Sequence, residues 1–124
     1  MNKKYIIIIF IVIALGIVAL VGYGGTEKYP AGAMDAFAQC LAAKNITMYG
    51  AYWCSHCQNQ KAMFGSSFKY VPYVECTEET QKCIAAKVEG YPTWTLLDGK
   101  QLVGEQPLEK LASASGCALP ESKK

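Results

Sequence analysis

The sequence predicts an α/β domain, a mixed sheet with helices on its faces, preceded by one N-terminal transmembrane helix. Three observations carry that prediction. Apolar residues at helical spacing alternate with short β-branched and aromatic runs through residues 34–118. An Asp98-Gly99 pair between two of those runs signals a hairpin. The run YIIIIFIVIALGIVALV, Tyr5 to Val21, stands apart from everything that follows it.

That run has Lys3 and Lys4 before it and no charge within it. It is short for a membrane-spanning helix and longer than the core of a cleavable signal, so residues 1–22 are read as a retained signal anchor. Ala31-Gly32-Ala33 would serve a signal peptidase in the competing reading, but it lies far beyond the apolar core. Either way the lysines stay on the cytoplasmic side and the rest is expected outside, periplasmic or extracellular. Residues 23–33, rich in glycine and proline, are expected to be a tether, residues 34–118 the domain and residues 119–124 a polar tail.

Within the domain, AMDAFAQCLAAKN puts Met34, Phe37, Ala38 and Leu41 on one helical face and ends at Asn45, a residue suited to a left-handed cap. ITMYGAYW reads as a strand running into Cys54. Lys61, Phe64 and Phe68 then recur at helical spacing, so a helix starts at the cysteine pair. KYVPYVEC is a second strand, and Pro72 marks it as an edge or a bulge. TEETQKCIAAKVEG is helical, with Glu78 and Glu79 at its positive end and Gly90 past the other. TWTLLDGKQLVGE folds back at Asp98-Gly99, a pair suited to a type I′ turn. QPLEKLASASG closes the domain as a helix with Pro107 near its start and Gly116 as its stop.

Composition narrows the function. Six cysteines in so small a domain suit an oxidising compartment. All twelve basic residues are lysine and the net charge is +2, which argues against nucleic-acid binding. Nothing in the sequence calls for a bound cofactor. A zinc site built on Cys54-x-x-Cys57 is disfavoured, because six residues separate the other close pair, Cys76 and Cys83. A purely structural disulfide on a tethered binding domain is the remaining non-enzymatic reading.

A strand that delivers a cysteine to the first turn of a helix aims unpaired amide N–H groups and the helix dipole at its sulfur. Such a thiol loses its proton more readily, and the thiolate is the species that attacks disulfides. Cys54 is thus the expected exposed attacker and Cys57 the partly buried resolver. His56 lies between them, where an imidazolium adds a second favourable charge; a solvated surface role is its bland alternative. Stabilising the thiolate stabilises the reduced form, by about 30 mV for each pKa unit, which favours a disulfide donor.

WCSHC after an apolar strand, followed by GYPT before another, resembles the thioredoxin superfamily. The resemblance implies a cis-proline at Pro92 facing the dithiol, with Trp53, Tyr91 and Thr93 toward substrate. MYGAYWCSHCQNQKAMFG, YVEC and GYPTW are more closely similar to the thioredoxin-like domains associated with bacterial and plant vitamin K epoxide reductase homologues. That likeness implies a thiol-disulfide oxidoreductase passing a disulfide from a separate membrane enzyme to exported proteins. The alternative is a membrane-anchored reductase of exported thiols. The family's buried carboxylate six residues before the first cysteine is replaced by Met48, which leaves Cys57 without an evident internal base.

The same likeness implies a disulfide between Cys76 and Cys83, read as structural. A continuous helix from Thr77 would hold the two about 10 Å apart, beyond the roughly 7 Å a disulfide tolerates. The bond therefore requires TEET to be a loop, with Thr80 as the helix cap. Cys40 and Cys117 are left open: they could pair with each other, sit as buried hydrophobes, or form a mixed disulfide.

Overall fold

A computed structural model of the chain describes residues 2–21 and 29–122, with side chains over 2–16 and 29–122. The predicted tether falls largely on residues outside that description. The first helix, α1, spans Lys3–Val21. Among the described residues no helix is long and apolar enough to cross a membrane. The expected spanning anchor therefore has no support in the described structure. Tyr5, Phe10 and Leu15 stand exposed on this helix.

The packed part of the chain begins at Tyr29, because its ring is buried in the core cluster rather than lying in a free tether. Helix α2, Asp35–Ala43, follows and buries Phe37, Ala38 and Leu41. Asn45 then turns the chain with φ 52°, in the left-handed region its short polar side chain tolerates. Strand β1 is Thr47–Gly50, helix α3 is Ser55–Phe64, and a 3-10 helix continues over Gly65–Tyr70. Gly65 has φ 54°, which separates the two helices, so the predicted single helix ends at Phe64.

Strand β2, Tyr73–Glu75, begins only after Pro72, which has no N–H to give the ladder. Helix α4 is Thr80–Ala85. Its N-cap is Glu79 rather than Thr80, whose hydroxyl instead donates back to the Cys76 carbonyl at 2.9 Å. Residues 76–78 therefore form a turn, as the Cys76–Cys83 bond required, and the helix over TEETQKC is shortened at its front. Strands β3, Thr93–Thr95, and β4, Gln101–Val103, make the hairpin. Its turn differs from the predicted type I′: Gly99 has φ 79°, whereas Asp98 is not in the left-handed region. The Gly99 amide donates to the Leu96 carbonyl, and Leu96 N–H donates to Lys100, which fits a three-residue loop ending in a left-handed glycine. Helix α5, Leu108–Ser115, follows Pro107 and stops at Gly116, φ 70°.

The sheet order is β2-β1-β3-β4, with β2 parallel to β1 and the other two pairings antiparallel. The strand carrying Pro72 at its start is thus at an edge. Met48, in the middle of β1, faces Tyr73 on one side and Trp94 on the other. Phe37, Phe64 and Trp94 stack in the core behind it, with ring centroids 5.8 and 6.0 Å apart. Cys40 and Cys117 are joined, tying α2 to the end of α5 across 77 positions of sequence. By loop-closure entropy a link of that span is worth about 4 kcal/mol.

Candidate active site

Strand β1 ends at Gly50, and four residues later the chain reaches Cys54, which caps α3 in an extended conformation, φ −77° and ψ 115°. The Cys57 amide donates to Cys54 Sγ at 3.2 Å, so the first turn of the helix points an N–H at that sulfur. The connecting turn is fixed from both sides. Cys54 N–H donates to the Ala51 carbonyl at 3.1 Å, Gln58 Nε2 donates to the Tyr52 carbonyl at 2.8 Å, and Tyr52 N–H donates to Glu75 Oε1 at 3.1 Å.

Cys54 and Cys57 are the free thiols, while Cys76 and Cys83 are bonded to each other with Cα atoms 5.8 Å apart. Cys54 is less open than the sequence suggested, 7% exposed against 0% for Cys57, because the Tyr52-Trp53 turn and the helix start enclose it. Burial, and then the hydrogen bond and charge of Cys54, push the Cys57 thiol up to about 12; a backbone hydrogen bond from Ala51 and the Lys61 ammonium oppose this in part. Cys57 is accordingly a thiol at neutral pH, and something must take its proton before it can react.

His56 Nδ1 lies 3.0 Å from Glu105 Oε2, an oxygen that also accepts from Asn59 Nδ2. The imidazole is thus paired with a carboxylate from the segment after β4. Tyr91-Pro92 is a cis peptide just before β3. The Tyr91 ring meets the edge of Trp53 at 6.0 Å, which brings this loop beside the dithiol turn. Trp53 and Tyr52 are exposed, forming an aromatic rim. Thr93, predicted to face substrate, is fully buried, and its hydroxyl donates to the Gly90 carbonyl at 2.7 Å. Its side chain holds the bend before β3.

Three polar residues near the site carried no signal in the sequence reading. Gln60, on α3, is fully buried: its Oε1 accepts from Trp94 Nε1 at 3.1 Å and from Gln106 N–H at 2.7 Å, and its Nε2 donates to the Gln106 carbonyl at 3.0 Å. It ties the dithiol helix to the sheet and to the segment after β4 that supplies Glu105. Tyr73 donates to Glu75 Oε2 at 2.7 Å beside Cys57. The third is Glu75 itself, beside Cys76. Among the described residues no group of three or more His, Cys, Asp or Glu could hold a metal ion.

No protein-family model matches the chain. Over 96 residues it is 42% identical to the thiol-disulfide oxidoreductase LTO1 of Arabidopsis thaliana, a match covering 70% of this chain. The chain spans about a quarter of the length of that curated relative, 25%. The dithiol at the helix start thus stands in a chain similar to part of a protein named as a thiol-disulfide oxidoreductase.

Proposed function

We propose that the protein is a thiol-disulfide oxidoreductase that passes a disulfide, carried between Cys54 and Cys57, to exported protein thiols. Cys54 is the sulfur that exchanges with substrate, Cys57 closes or opens the internal bond, and Trp53 and Tyr91 flank the entering chain, with the Pro92 loop beneath. One observation carries the reading: Cys54 Sγ sits at the start of α3 and accepts the Cys57 N–H at 3.2 Å, while Cys40–Cys117 and Cys76–Cys83 are already oxidised. Two closed disulfides beside one open dithiol fit an oxidising compartment in which the third pair is kept for exchange. The likeness to a named thiol-disulfide oxidoreductase supports the same chemistry.

The disulfide donor in this reading is a separate membrane-bound, vitamin K epoxide reductase-like enzyme, and the protein is held at that membrane by its apolar N-terminal segment. Exposed Tyr5, Phe10 and Leu15 on α1 support the membrane placement, and Met48 in place of a buried acid supports donation over reduction. The test is disulfide transfer from the oxidised protein to a reduced, unfolded secretory protein. Cys57→Ser is expected to accumulate a mixed disulfide through Cys54, and Cys54→Ser to give neither transfer nor adduct. Transfer that survives Cys54→Ser would sink the proposal.

A further inference from the structure

Gly50, the last residue of β1, pairs with Glu75 across the parallel ladder. A Cβ on Gly50 would lie 3.0 Å from Cys57 Sγ and 3.2 Å from both the hydroxyl and a ring carbon of Tyr73. The sulfur and the phenol therefore crowd the same bare glycine. From there the Tyr73 hydroxyl donates to Glu75 Oε2 at 2.7 Å. The other carboxylate oxygen accepts from Tyr52 N–H at 3.1 Å and from the Thr77 hydroxyl at 2.7 Å, which fixes it against the dithiol turn. Lys61 Nζ lies over the Tyr73 ring, 3.8 Å from its centroid, and locks the ring from the helix side.

We propose that Tyr73 and Glu75 are the proton relay of Cys57, supplying from β2 what the methionine at position 48 of β1 cannot. The proposal rests on the dithiol reading above. In the resolving step Cys57 Sγ attacks Cys54 Sγ of a mixed disulfide; the Cys54–Cys57 bond forms, the Cys54–substrate bond breaks, and the substrate sulfur leaves with the electron pair. The Cys57 proton goes to the Tyr73 oxygen as the phenolic proton moves to Glu75 Oε2, and then to water at the half-exposed carboxylate. When a substrate thiolate opens the internal disulfide, Cys57 leaves with the electron pair and the same path returns a proton to it.

The charged and titratable groups facing this path are Cys54, Cys57 and Lys61 from α3 and Glu75 from β2. Their balance suits the roles. Burial, reinforced by Glu75, raises Tyr73 far above the ordinary phenol value, so it passes a proton without resting as a phenolate. Burial alone would raise Glu75, but hydrogen bonds from Tyr73, Thr77 and the Tyr52 amide outweigh it and keep the carboxylate charged.

The test uses the reduced full chain and 5,5′-dithiobis(2-nitrobenzoate) in stopped flow. Release of the first thionitrobenzoate reports Cys54 attack, and release of the second reports Cys57 resolving the mixed disulfide. In Tyr73→Phe the second release at pH 7 is expected to slow by at least about tenfold, the first to stay within about twofold, and added imidazole to restore the second. Glu75→Gln keeps the hydroxyl and its packing and is expected to behave alike, which covers a failure of Tyr73→Phe to fold. Wild-type rates for the second release in both variants would overturn the relay alone. A wild-type protein that never releases the second equivalent would overturn the dithiol reading, and the relay with it.

Discussion

Glu105 Oε2 and His56 Nδ1 are 3.0 Å apart, so the one histidine of the dithiol turn is paired with a carboxylate contributed by the segment after β4. The sequence suggests an imidazolium acting on Cys54 alone, and the structure adds a counter-charge. Removing that charge with Glu105→Gln leaves a more positive surround for the Cys54 sulfur and favours the reduced, thiolate form. The expected result is a shift of the dithiol potential toward more oxidising values by up to about 30 mV, read from glutathione equilibria. A shift of the opposite sign would mean that Glu105 acts mainly by holding His56 near the sulfur.

Gly50 has no room for a side chain. A methyl there would press on Cys57 Sγ at 3.0 Å and on Tyr73 at 3.2 Å, closer than ordinary contacts. Gly50→Ala is expected to destabilise the reduced protein by about 1–3 kcal/mol in denaturant unfolding and to slow the closing of the internal disulfide. Unchanged stability would show that β1 and β2 can separate at this point without loss.

Gln60 holds buried polar atoms of two other elements. Replacing it with alanine leaves the Trp94 indole N–H and the Gln106 backbone without their partners in the core. The expected loss is about 3–5 kcal/mol, well above that of an exposed polar residue on the same helix such as Asn59. Equal losses at the two positions in thermal unfolding would contradict this assignment.

Much of the fold was legible in the sequence, because helical spacing, Pro107, Gly116 and the β-branched runs each name a local structure that packing did not override. The misreadings have physical causes. The Cys76–Cys83 bond, with Cα atoms 5.8 Å apart, makes TEET turn back as that pairing required, but the helix is capped at Glu79 and not at Thr80, whose hydroxyl is drawn to the Cys76 carbonyl. Asp98-Gly99 reads as type I′, whereas the loop takes three residues and gives only the glycine a positive φ. At the site, Cys54 and Cys57 are plain from their spacing and the preceding strand. Tyr73, Glu75 and Glu105 were not, because each reaches the dithiol through sheet register or a distant loop, which no periodicity records. Cys40 and Cys117 could be paired only once the ends of α2 and α5 were seen to meet.

The buried thiol makes stability depend on redox state and pH. Cys57 is raised from 9.0 to about 12 in the folded, reduced protein, so between those values the unfolded chain gives up its proton first. Unfolding is then favoured as pH rises: the reduced form keeps its full stability below about pH 9 and loses up to about 1.4 kcal/mol per pH unit above it. The oxidised form, in which Cys57 cannot titrate but Tyr73 still can, serves as the control. Melting temperatures of the two forms are expected to diverge between pH 8.5 and roughly pH 10.5, and parallel curves would refute the assignment of Cys57 as a buried thiol.

The central claim is that Cys54 and Cys57 form a disulfide given away to other proteins, and the equilibrium potential of that pair tests it most directly. The protein would be titrated in glutathione buffers, with alkylation and mass spectrometry following each cysteine separately. A Cys54–Cys57 potential between about −120 and −200 mV, with Cys40–Cys117 and Cys76–Cys83 staying oxidised throughout, is the predicted result. A value near −270 mV or below would contradict it and make the protein a reductant of exported thiols.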